Sequence, residues 1–310
     1  MFSVLFPGQG SQSVGMVKDL YENFTYVKDL FEQADDALKL SISKIIFNGP
    51  NEILNDTENT QPAIFLVGYS IFKLIKEEFK IDLNKAKFFA GHSLGEYTAL
   101  AASESLNFIE TLRILKKRGQ AMQSSVPRGE GGMLAVLGSE IEKIEKIILD
   151  NKNKYECFIA NDNSKGQLVV SGKTKDIEEF ILDLKLNSIK NIKLPVSAPF
   201  HCKLMNNATS IMKDEIQKLE FKIPKNTLIS NVTGKDIKNI DLLKELLTKQ
   251  IESRVRWRES VLFMIDSGTS QFIEIGPGKV LSGLIKRINK DVKVSAINNE
   301  EDIKSININD

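Results

Sequence analysis

Apolar residues along the chain fall into two kinds of stretch. Short runs of strand length lie at Phe2–Phe6, which leads into the glycine-rich loop 7–12, and at 87–90, which meets Gly91. A stretch of helical character follows each run. In the longer stretches apolar residues recur every three or four positions, the spacing of a helix with one buried face. Repetition of strand, loop and helix is typical of a parallel sheet covered by helices, so we predict an α/β fold. The helices predicted here are 26–40, 61–79, 94–102 and Phe108–Ser124.

The pattern changes at the Gly- and Pro-bearing segment 127–132. The elements predicted beyond it follow the order βαββαβ, which is that of ferredoxin-like folds. The alternative is that these strands extend the main sheet, but a parallel sheet does not need the central hairpin. We predict a core formed by 1–126 and 198–310 and an inserted ferredoxin-like subdomain at 127–197. The predicted elements are strand 133–137, helix 140–149, strand 155–160, turn 161–166, strand 167–171, helix 175–186 and strand 191–196.

The elements of the core resume after the insertion. Strand Gln271–Ile275 ends in the tripeptide 276–278, Gly-Pro-Gly, and a helix at 280–287 begins there. The segment 297–310 is polar, and we expect it to fray. The other elements predicted in this part are helices 200–219, 241–251 and 258–266 and strand 227–230.

Composition excludes several classes of protein. The 310 residues are 42% hydrophobic and 27% charged with a net charge of +1, so there is no basic excess for binding nucleic acid. No run of about 18 apolar residues is present to span a membrane, and the N-terminus lacks the features of a signal peptide. Cys157 and Cys202 have neither disulfide nor metal spacing. We expect a cytoplasmic protein, and a monomer.

The pentapeptide 91–95, Gly-His-Ser-Leu-Gly, matches the G-x-S-x-G pattern of a nucleophile elbow. In such an elbow a sharp strand-to-helix turn exposes the serine hydroxyl at the positive end of a helix, and the glycines leave room for the strained backbone. The pattern is weak alone, but here a strand precedes it and a helix-forming run follows. The alternative, a turn that serves only packing, does not need that context. Ser93 is therefore the candidate nucleophile.

A serine nucleophile needs a base within hydrogen-bond reach, and the chain has two histidines, His92 and His201. Side chains of neighbouring residues diverge on such a turn, so His92 is expected to support the site structurally. His201, predicted at the start of the helix 200–219, is left as the base. No Asp or Glu stands in a context that singles it out as the third member of a triad.

A tetrahedral intermediate also needs hydrogen-bond donors for its oxyanion. The amide of Leu94, directly after the nucleophile, is the usual first donor, and the glycine-rich loop with Gln9 at its tip is a candidate for the second. Such loops also bind dinucleotide phosphates. The segment 8–13 lacks the third glycine of that motif, however, and no P-loop Lys-Ser/Thr follows it.

Five motifs together cover almost the whole chain. They are Gly8-Gln9-Gly10-Ser11-Gln12, Gly91-His92-Ser93-Leu94-Gly95-Glu96, Arg118-Gly119, Ser197-Ala198-Pro199-Phe200-His201 and Glu274-Ile275-Gly276-Pro277-Gly278. In this order and spacing the sequence resembles the family of malonyl-CoA:acyl carrier protein transacylases. That family has an α/β-hydrolase-like core with a ferredoxin-like insertion, in agreement with the elements predicted above.

The resemblance implies a role for each matching residue. Ser93 would be acylated, His201 would be its base, and the main-chain carbonyl of Gln250 would orient the histidine, which accounts for the missing acid. The segment around Gln250 is less distinctive than the other motifs.

The resemblance also implies the substrates. Arg118 would hold the malonyl carboxylate, and the amides of Gln9 and Leu94 would form the oxyanion hole. Malonyl-CoA and acyl carrier protein are the implied partners, in a ping-pong transfer that serves fatty acid synthesis. No metal or redox cofactor is implied.

Four further residues are weaker candidates. Lys116 and Lys117 would suit an acidic carrier protein, although exposed lysines on a helix usually form only a solvated face. Asn161 and Asn163 are either substrate contacts across the cleft or ordinary turn residues.

Two other functions share parts of this pattern. A serine esterase or thioesterase would use the same elbow and base, but a hydrolase of neutral acyl groups has little use for Arg118. A scaffold without catalysis would not need Ser93, His201 and Arg118 together.

Overall fold

The computed structural model describes residues 1–196, 198–237 and 239–308. Ser197, which belongs to one of the five motifs, and the last two residues of the predicted tail lie outside this range. The strands are β1 Phe2–Phe6, β2 Phe88–Gly91, β3 Gly131–Leu137, β4 Cys157–Ser164, β5 Gln167–Lys173, β6 Lys190–Lys193, β7 Thr227–Leu228, β8 Gln271–Ile275 and β9 Lys293–Ile297. The α-helices are α1 Lys18–Asn23, α2 Thr25–Leu38, α3 Ile42–Asn48, α4 Asn51–Asn55, α5 Thr57–Glu77, α6 Gly95–Ala102, α7 Phe108–Ser124, α8 Ile141–Asp150, α9 Thr174–Leu186, α10 Asn206–Lys218, α11 Ile240–Gln250, α12 Trp257–Asp266, α13 Val280–Ile288 and α14 Glu300–Lys304.

Five strands form a parallel sheet in the order β7-β2-β1-β8-β9. All residues of the central strand β1 are buried, as expected for a parallel sheet with helices on both faces. Phe6 on this strand meets Phe72 of α5 and Phe89 of β2 edge to face, with ring centroids 6.0 Å apart in both pairs. The predicted α/β fold with a parallel sheet is confirmed.

The other four strands form a separate antiparallel sheet in the order β4-β5-β3-β6. Helices α8 and α9 pack on it around a core of its own, which includes Leu134 and Phe180. The alternative of one extended main sheet is therefore wrong. The predicted turn 161–166 is also wrong, because β4 continues to Ser164 and only Lys165 and Gly166 turn the chain.

Strand β4 also joins the antiparallel sheet to the segment that precedes α12. The amide of Asp162 donates to the carbonyl of Val255 at 2.9 Å, and the amide of Val255 donates to Ala160 at 2.8 Å. The side chain of Asp162 is 1% exposed and accepts three hydrogen bonds of 2.8–3.0 Å from Arg258. The Asn and Asp residues that resembled a turn in the sequence are thus paired with the other part of the protein.

Two predicted segments differ in the structure. The helix predicted at 200–219 begins only at Asn206, because His201 has a left-handed backbone (φ 58°) that a helix excludes. The tail does not fray up to Lys304, because β9 pairs with β8 and α14 buries Ile303. Among the described helices, none is long and apolar enough to cross a membrane.

Candidate active site

Ser93 lies at the sharp turn between β2 and α6 with φ 54°. A Cβ atom on Gly91 would lie 1.9 Å from the carbonyl carbon of Gly95, and one on Gly95 would lie 2.2 Å from the carbonyl oxygen of Phe6. Both positions therefore require glycine, since real Cβ contacts are never that short. The turn is the elbow that the sequence predicted, and it leaves the Ser93 hydroxyl at the N-terminus of α6.

The hydroxyl oxygen of Ser93 lies 2.8 Å from Nε2 of His201. The other ring nitrogen, Nδ1, lies 2.9 Å from the main-chain oxygen of Gln250, the last residue of α11. A carbonyl oxygen only accepts, so Nδ1 carries the proton and Nε2 is free to accept one. Burial, together with the charge of Arg118, lowers the pKa of His201 to about 3. The imidazole is therefore neutral at pH 7, as a base must be.

Arg118 reaches the same hydroxyl from α7. Its Nη2 lies 3.3 Å from Ser93 Oγ and donates to Gln250 Oε1 at 2.8 Å, while Nη1 donates to Gln61 Oε1 at 2.7 Å. The side chain is 1% exposed, yet these partners are neutral. A Cβ on the next residue, Gly119, would lie 2.6 Å from the backbone of α5. The Arg-Gly pair of the sequence thus allows two helices to pack closely beneath the guanidinium.

The side chain of Gln250 is as well bound as its carbonyl. Besides accepting from Arg118, it donates through Nε2 to the carbonyl of Ser93 at 3.0 Å and to Glu96 Oε2 at 2.8 Å. Gln250 is fully buried. One residue therefore holds the elbow, the guanidinium and the histidine in fixed relative positions, whereas the resemblance had implied only the contact with the histidine.

Sequence reasoning missed Asn231 and the role of Glu96. The side chain of Asn231 accepts from the amide of Ser93 at 2.6 Å and donates to the carbonyl of Gly91 at 2.7 Å, so it bridges two main-chain groups of the elbow. The main-chain amide of Asn231 donates to Glu96 Oε2 at 3.1 Å. Burial raises the pKa of Glu96 to about 7. Glu96 is part of a quoted motif and offered a signal, namely an acid inside an apolar helix, but Asn231 offered none.

The two proposed oxyanion donors face the same cavity as Ser93. Gln9 and Leu94 both line it, and within the described residues neither main-chain amide donates a hydrogen bond. The loop that carries Gln9 is held by a bond from Ser11 Oγ to the carbonyl of Gly8, at 2.8 Å. Two unpaired amides next to the hydroxyl suit a developing negative charge.

The cavity has a volume of about 290 Å³ and lies between the two sheets. Asn161 and Asn163 of β4 line it, so the interpretation of both as turn residues is wrong. Nε2 of His92 lies 2.9 Å from Asn163 Oδ1, and its ring packs 5.6 Å from that of Trp257. Burial lowers the pKa of His92. His92 therefore links the elbow to the opposite wall, in keeping with a supporting role.

The two lysines predicted for docking both have acidic partners. Lys116 lies 3.1 Å from Glu58, and Lys117 lies 2.9 Å from Glu215. Such pairs are what a solvated helix face commonly contains.

The known proteins that this chain is similar to are acyl transferases. Residues 4–306 match the family model of the acyl transferase domain. The malonyl CoA-acyl carrier protein transacylase of Bacillus subtilis (strain 168) is 40% identical over 304 residues, which cover 97% of this chain and 94% of that protein. The chain therefore belongs to the malonyl CoA-acyl carrier protein transacylases of the acyl transferase domain family, which confirms the resemblance found in the sequence.

Solved structures agree with this assignment. The acyl-carrier-protein-S-malonyltransferase of Bartonella henselae has a TM-score of 0.95 and 40% identity, and the match covers 98% of this chain and 97% of that one. A malonyl-transacylase in complex with the holo form of a type II polyketide acyl carrier protein has a TM-score of 0.94 and 34% identity, with 98% of both chains covered.

Proposed function

We propose that the protein transfers malonyl from malonyl-CoA to the phosphopantetheine thiol of acyl carrier protein and so supplies fatty acid biosynthesis. One observation carries the proposal: Ser93 Oγ lies 2.8 Å from the base nitrogen of His201 and 3.3 Å from the Arg118 guanidinium. A nucleophile, its base and a cation for the acyl group thus meet at one atom. The names of the relatives, one of them solved with a carrier protein, support the same substrates.

In the first half-reaction Ser93 Oγ attacks the thioester carbon while His201 Nε2 takes its proton. The amides of Gln9 and Leu94 stabilise the oxyanion of the tetrahedral intermediate. The intermediate collapses, the carbon–sulfur bond breaks, and the proton on His201 passes to the coenzyme A sulfur. The products are malonyl-Ser93 and free coenzyme A.

In the second half-reaction the thiol of the carrier protein takes the place of coenzyme A. His201 accepts the thiol proton as the sulfur attacks the ester carbonyl, and returns it to Ser93 Oγ when the ester bond breaks. The main-chain oxygen of Gln250 holds the imidazole in the required tautomer in both steps. A dyad steered by a carbonyl explains the absence of a triad acid, and the mechanism is ping-pong.

Arg118 gives the site its preference for an acyl group that bears a carboxylate. Moving a carboxylate into a buried cavity is costly unless a cation meets it. Gln61 and Gln250 fix the guanidinium without neutralising it. Its positive charge therefore remains available to the malonyl group, and the planar fork of the guanidinium can bind both carboxylate oxygens.

Mass spectrometry of the protein after exposure to malonyl-CoA tests this function. We expect a malonyl adduct on Ser93 that disappears when holo carrier protein is added, and no adduct on the Ser93→Ala variant. Rapid loss of the adduct to water without carrier protein would instead identify a hydrolase. An adduct on another residue would contradict the mechanism.

The finer description of the fold belongs to the same proposal. We propose an α/β-hydrolase-like core of residues 1–126 and 198–310 and a ferredoxin-like subdomain at 127–197, which the βαββαβ order of the antiparallel sheet supports. The mechanism calls on no metal or redox cofactor. All its groups come from one chain, and Cys157 and Cys202 are buried free thiols, so we propose a monomer that works in the cytoplasm.

A further inference from the structure

Arg118 is a buried cation without a carboxylate in contact. Within the described residues its hydrogen-bond acceptors are Gln61, Gln250 and Ser93, all of them neutral. Burying an unpaired charge is costly. An acid is nevertheless linked to Arg118 through the side-chain amide of Gln250. That amide accepts from Arg118 through Oε1 and donates through Nε2 to Glu96 Oε2, at 2.8 Å.

Glu96 is built into this position. Its side chain is 1% exposed, and Oε2 accepts from both Gln250 and the amide of Asn231. Oε1 is also buried and has no hydrogen-bond partner within the described residues. A buried carboxyl oxygen without a hydrogen-bond partner does not stabilise a fold. The position of Glu96 therefore calls for another explanation.

The carboxylate also fixes which way the Gln250 amide points. An ionised carboxylate only accepts hydrogen bonds, so the NH₂ end of Gln250 must face Glu96. The oxygen end is then left for Arg118, which only donates. If the Gln250 amide were reversed, its oxygen would face the Glu96 carboxylate, and two acceptors would meet. Its NH₂ group would then face the Arg118 guanidinium, and two donors would meet. The cation, the amide and the acid therefore form one polarised row.

We propose that Glu96 is a positioning residue that balances the charge of Arg118 through the Gln250 amide, and that its ionisation sets how tightly Arg118 holds a carboxylate-bearing acyl group. This inference rests on the proposed function, in which Arg118 binds the malonyl carboxylate. With Glu96 ionised, the incoming carboxylate is a second anion for one cation. With Glu96 neutral, the malonyl carboxylate is the one anion that balances the guanidinium.

The sign of the pH effect follows from the surroundings of Glu96. The charged or titratable groups that act on Glu96 are Arg118 from α7 and Tyr97, the next residue on its own helix. Burial raises the pKa of Tyr97 to about 12 and lowers that of the base His201 to about 3, so these two groups stay neutral between pH 6 and 8. Burial raises the pKa of Glu96 to about 7. Glu96 therefore changes charge in this range while Tyr97 and His201 do not, and malonyl binding weakens as the pH rises.

The test is KM for malonyl-CoA and acetyl-CoA between pH 6 and 8.5, in the wild type and in Glu96→Gln. Gln keeps the shape of the side chain and an oxygen for Gln250 and Asn231, but it carries no charge. For the wild type we expect KM for malonyl-CoA to rise about three- to tenfold more than KM for acetyl-CoA. In Glu96→Gln we expect the two thioesters to follow the same profile.

Glu274→Gln is the matched control, because Glu274 is also a fully buried acid but binds the start of α13 through the amides of Leu281 and Ser282. Glu274→Gln should keep the wild-type difference between malonyl-CoA and acetyl-CoA in how strongly KM rises with pH. The inference is overturned if Glu96→Gln keeps that difference, or if both thioesters change together in the wild type.

A second measurement does not depend on the folding of Glu96→Gln. Calorimetric titration of Ser93→Ala in buffers of different ionisation enthalpy counts the protons taken up on binding, without acylation. Near pH 7.5 we expect more proton uptake with malonyl-CoA than with acetyl-CoA, and equal uptake overturns the inference. If the wild type forms the malonyl adduct but its two pH profiles are equal and proton uptake by Ser93→Ala is equal for both thioesters, only this inference is lost. A wild type that forms no adduct loses the proposed function as well.

Discussion

The two walls of the cleft are built for different purposes. On the side of the parallel sheet, Ser93, Arg118 and Gln250 are joined to one another by hydrogen bonds of 2.8–3.3 Å, and each is fixed by a strand end or a helix. The side of the antiparallel sheet presents apolar residues such as Met133 and Val169. Its polar contribution is mainly the amides of β4.

This difference separates chemistry from enclosure. The charged and reactive groups lie on the side with rigid hydrogen-bonded support, where small displacements of reacting atoms are prevented. The antiparallel sheet forms the opposite wall of the cavity. His201 lies directly after the segment 127–197 and is held by the carbonyl of Gln250, so it belongs functionally to the first wall. Substitutions on the two walls should therefore differ strongly in effect.

The largest effect is expected for Ser93→Ala, on the reactive wall. Losing the nucleophile removes the covalent route, and enzymes that lose one typically slow by about 10⁴-fold or more. The fold should survive, because the hydroxyl contributes little packing. Steady-state transfer and adduct mass measure the loss, and circular dichroism checks the fold. Normal turnover would remove Ser93 from the mechanism.

Next come the two histidines, which compare the walls directly. His201→Ala should slow acylation by about 10²–10⁴-fold, because the base is lost. His92→Ala removes the link to Asn163 and the packing on Trp257 but no reacting group, and should be much milder. Single-turnover acylation by malonyl-CoA measures both variants. If His92→Ala were the more damaging change, the assignment of the base would be reversed.

Arg118→Ala should change selectivity more than overall function. The malonyl carboxylate would be left unpaired in the cavity, at a cost of about 2–5 kcal/mol in kcat/KM. Acetyl has no charge to strand, so its turnover should fall little or rise. The ratio of kcat/KM for the two thioesters measures the effect. An equal loss for both would show that Arg118 supports the fold or the coenzyme A portion instead.

Gln250→Ala should lower malonyl transfer by about 10–100-fold, because hydrogen bonds to charged groups are worth about 1.5–3 kcal/mol. Alanine keeps the carbonyl that orients His201, so acetyl transfer should suffer less. Gln250→Pro, which disturbs the backbone itself, should impair both substrates. Equal loss in the alanine variant for malonyl and acetyl would mean that the side chain does not act through Arg118.

The smallest effect is expected on the enclosing wall. Asn163→Ala removes one neutral hydrogen bond to His92, worth about 1 kcal/mol. We expect about a fivefold loss in kcat/KM at most, similar for malonyl and acetyl thioesters. A loss as large as that of His201→Ala would show that the antiparallel sheet takes part in the chemistry.

Local patterns were sufficient to predict most of the elements and the elbow, but they missed the short helices α1, α3 and α4 and the C-terminal β9 and α14. The glycines around Ser93 announce the turn because a Cβ cannot fit there, and the scarcity of histidine singled out His201. Asn231 was out of reach, since it lies 138 residues from Ser93 and its sequence neighbours form no motif. The end of β4 was misjudged for a similar reason. Its Asn and Asp residues favour turns locally, but in the structure they pair with β5 and are also held by the distant Arg258 and Val255.

Of the residues assigned to the reaction, Ser93 and His201 have a left-handed backbone conformation, with φ of 54° and 58°. Left-handed conformations of residues other than glycine cost about 1 kcal/mol or more each. Glycine at either position would relieve this strain but would end catalysis. Selection for thermal stability alone would therefore replace these two residues. The protein keeps both of them and has a lower free energy of unfolding as a result. Screens that rank variants by melting temperature should consequently favour inactive ones at these two positions.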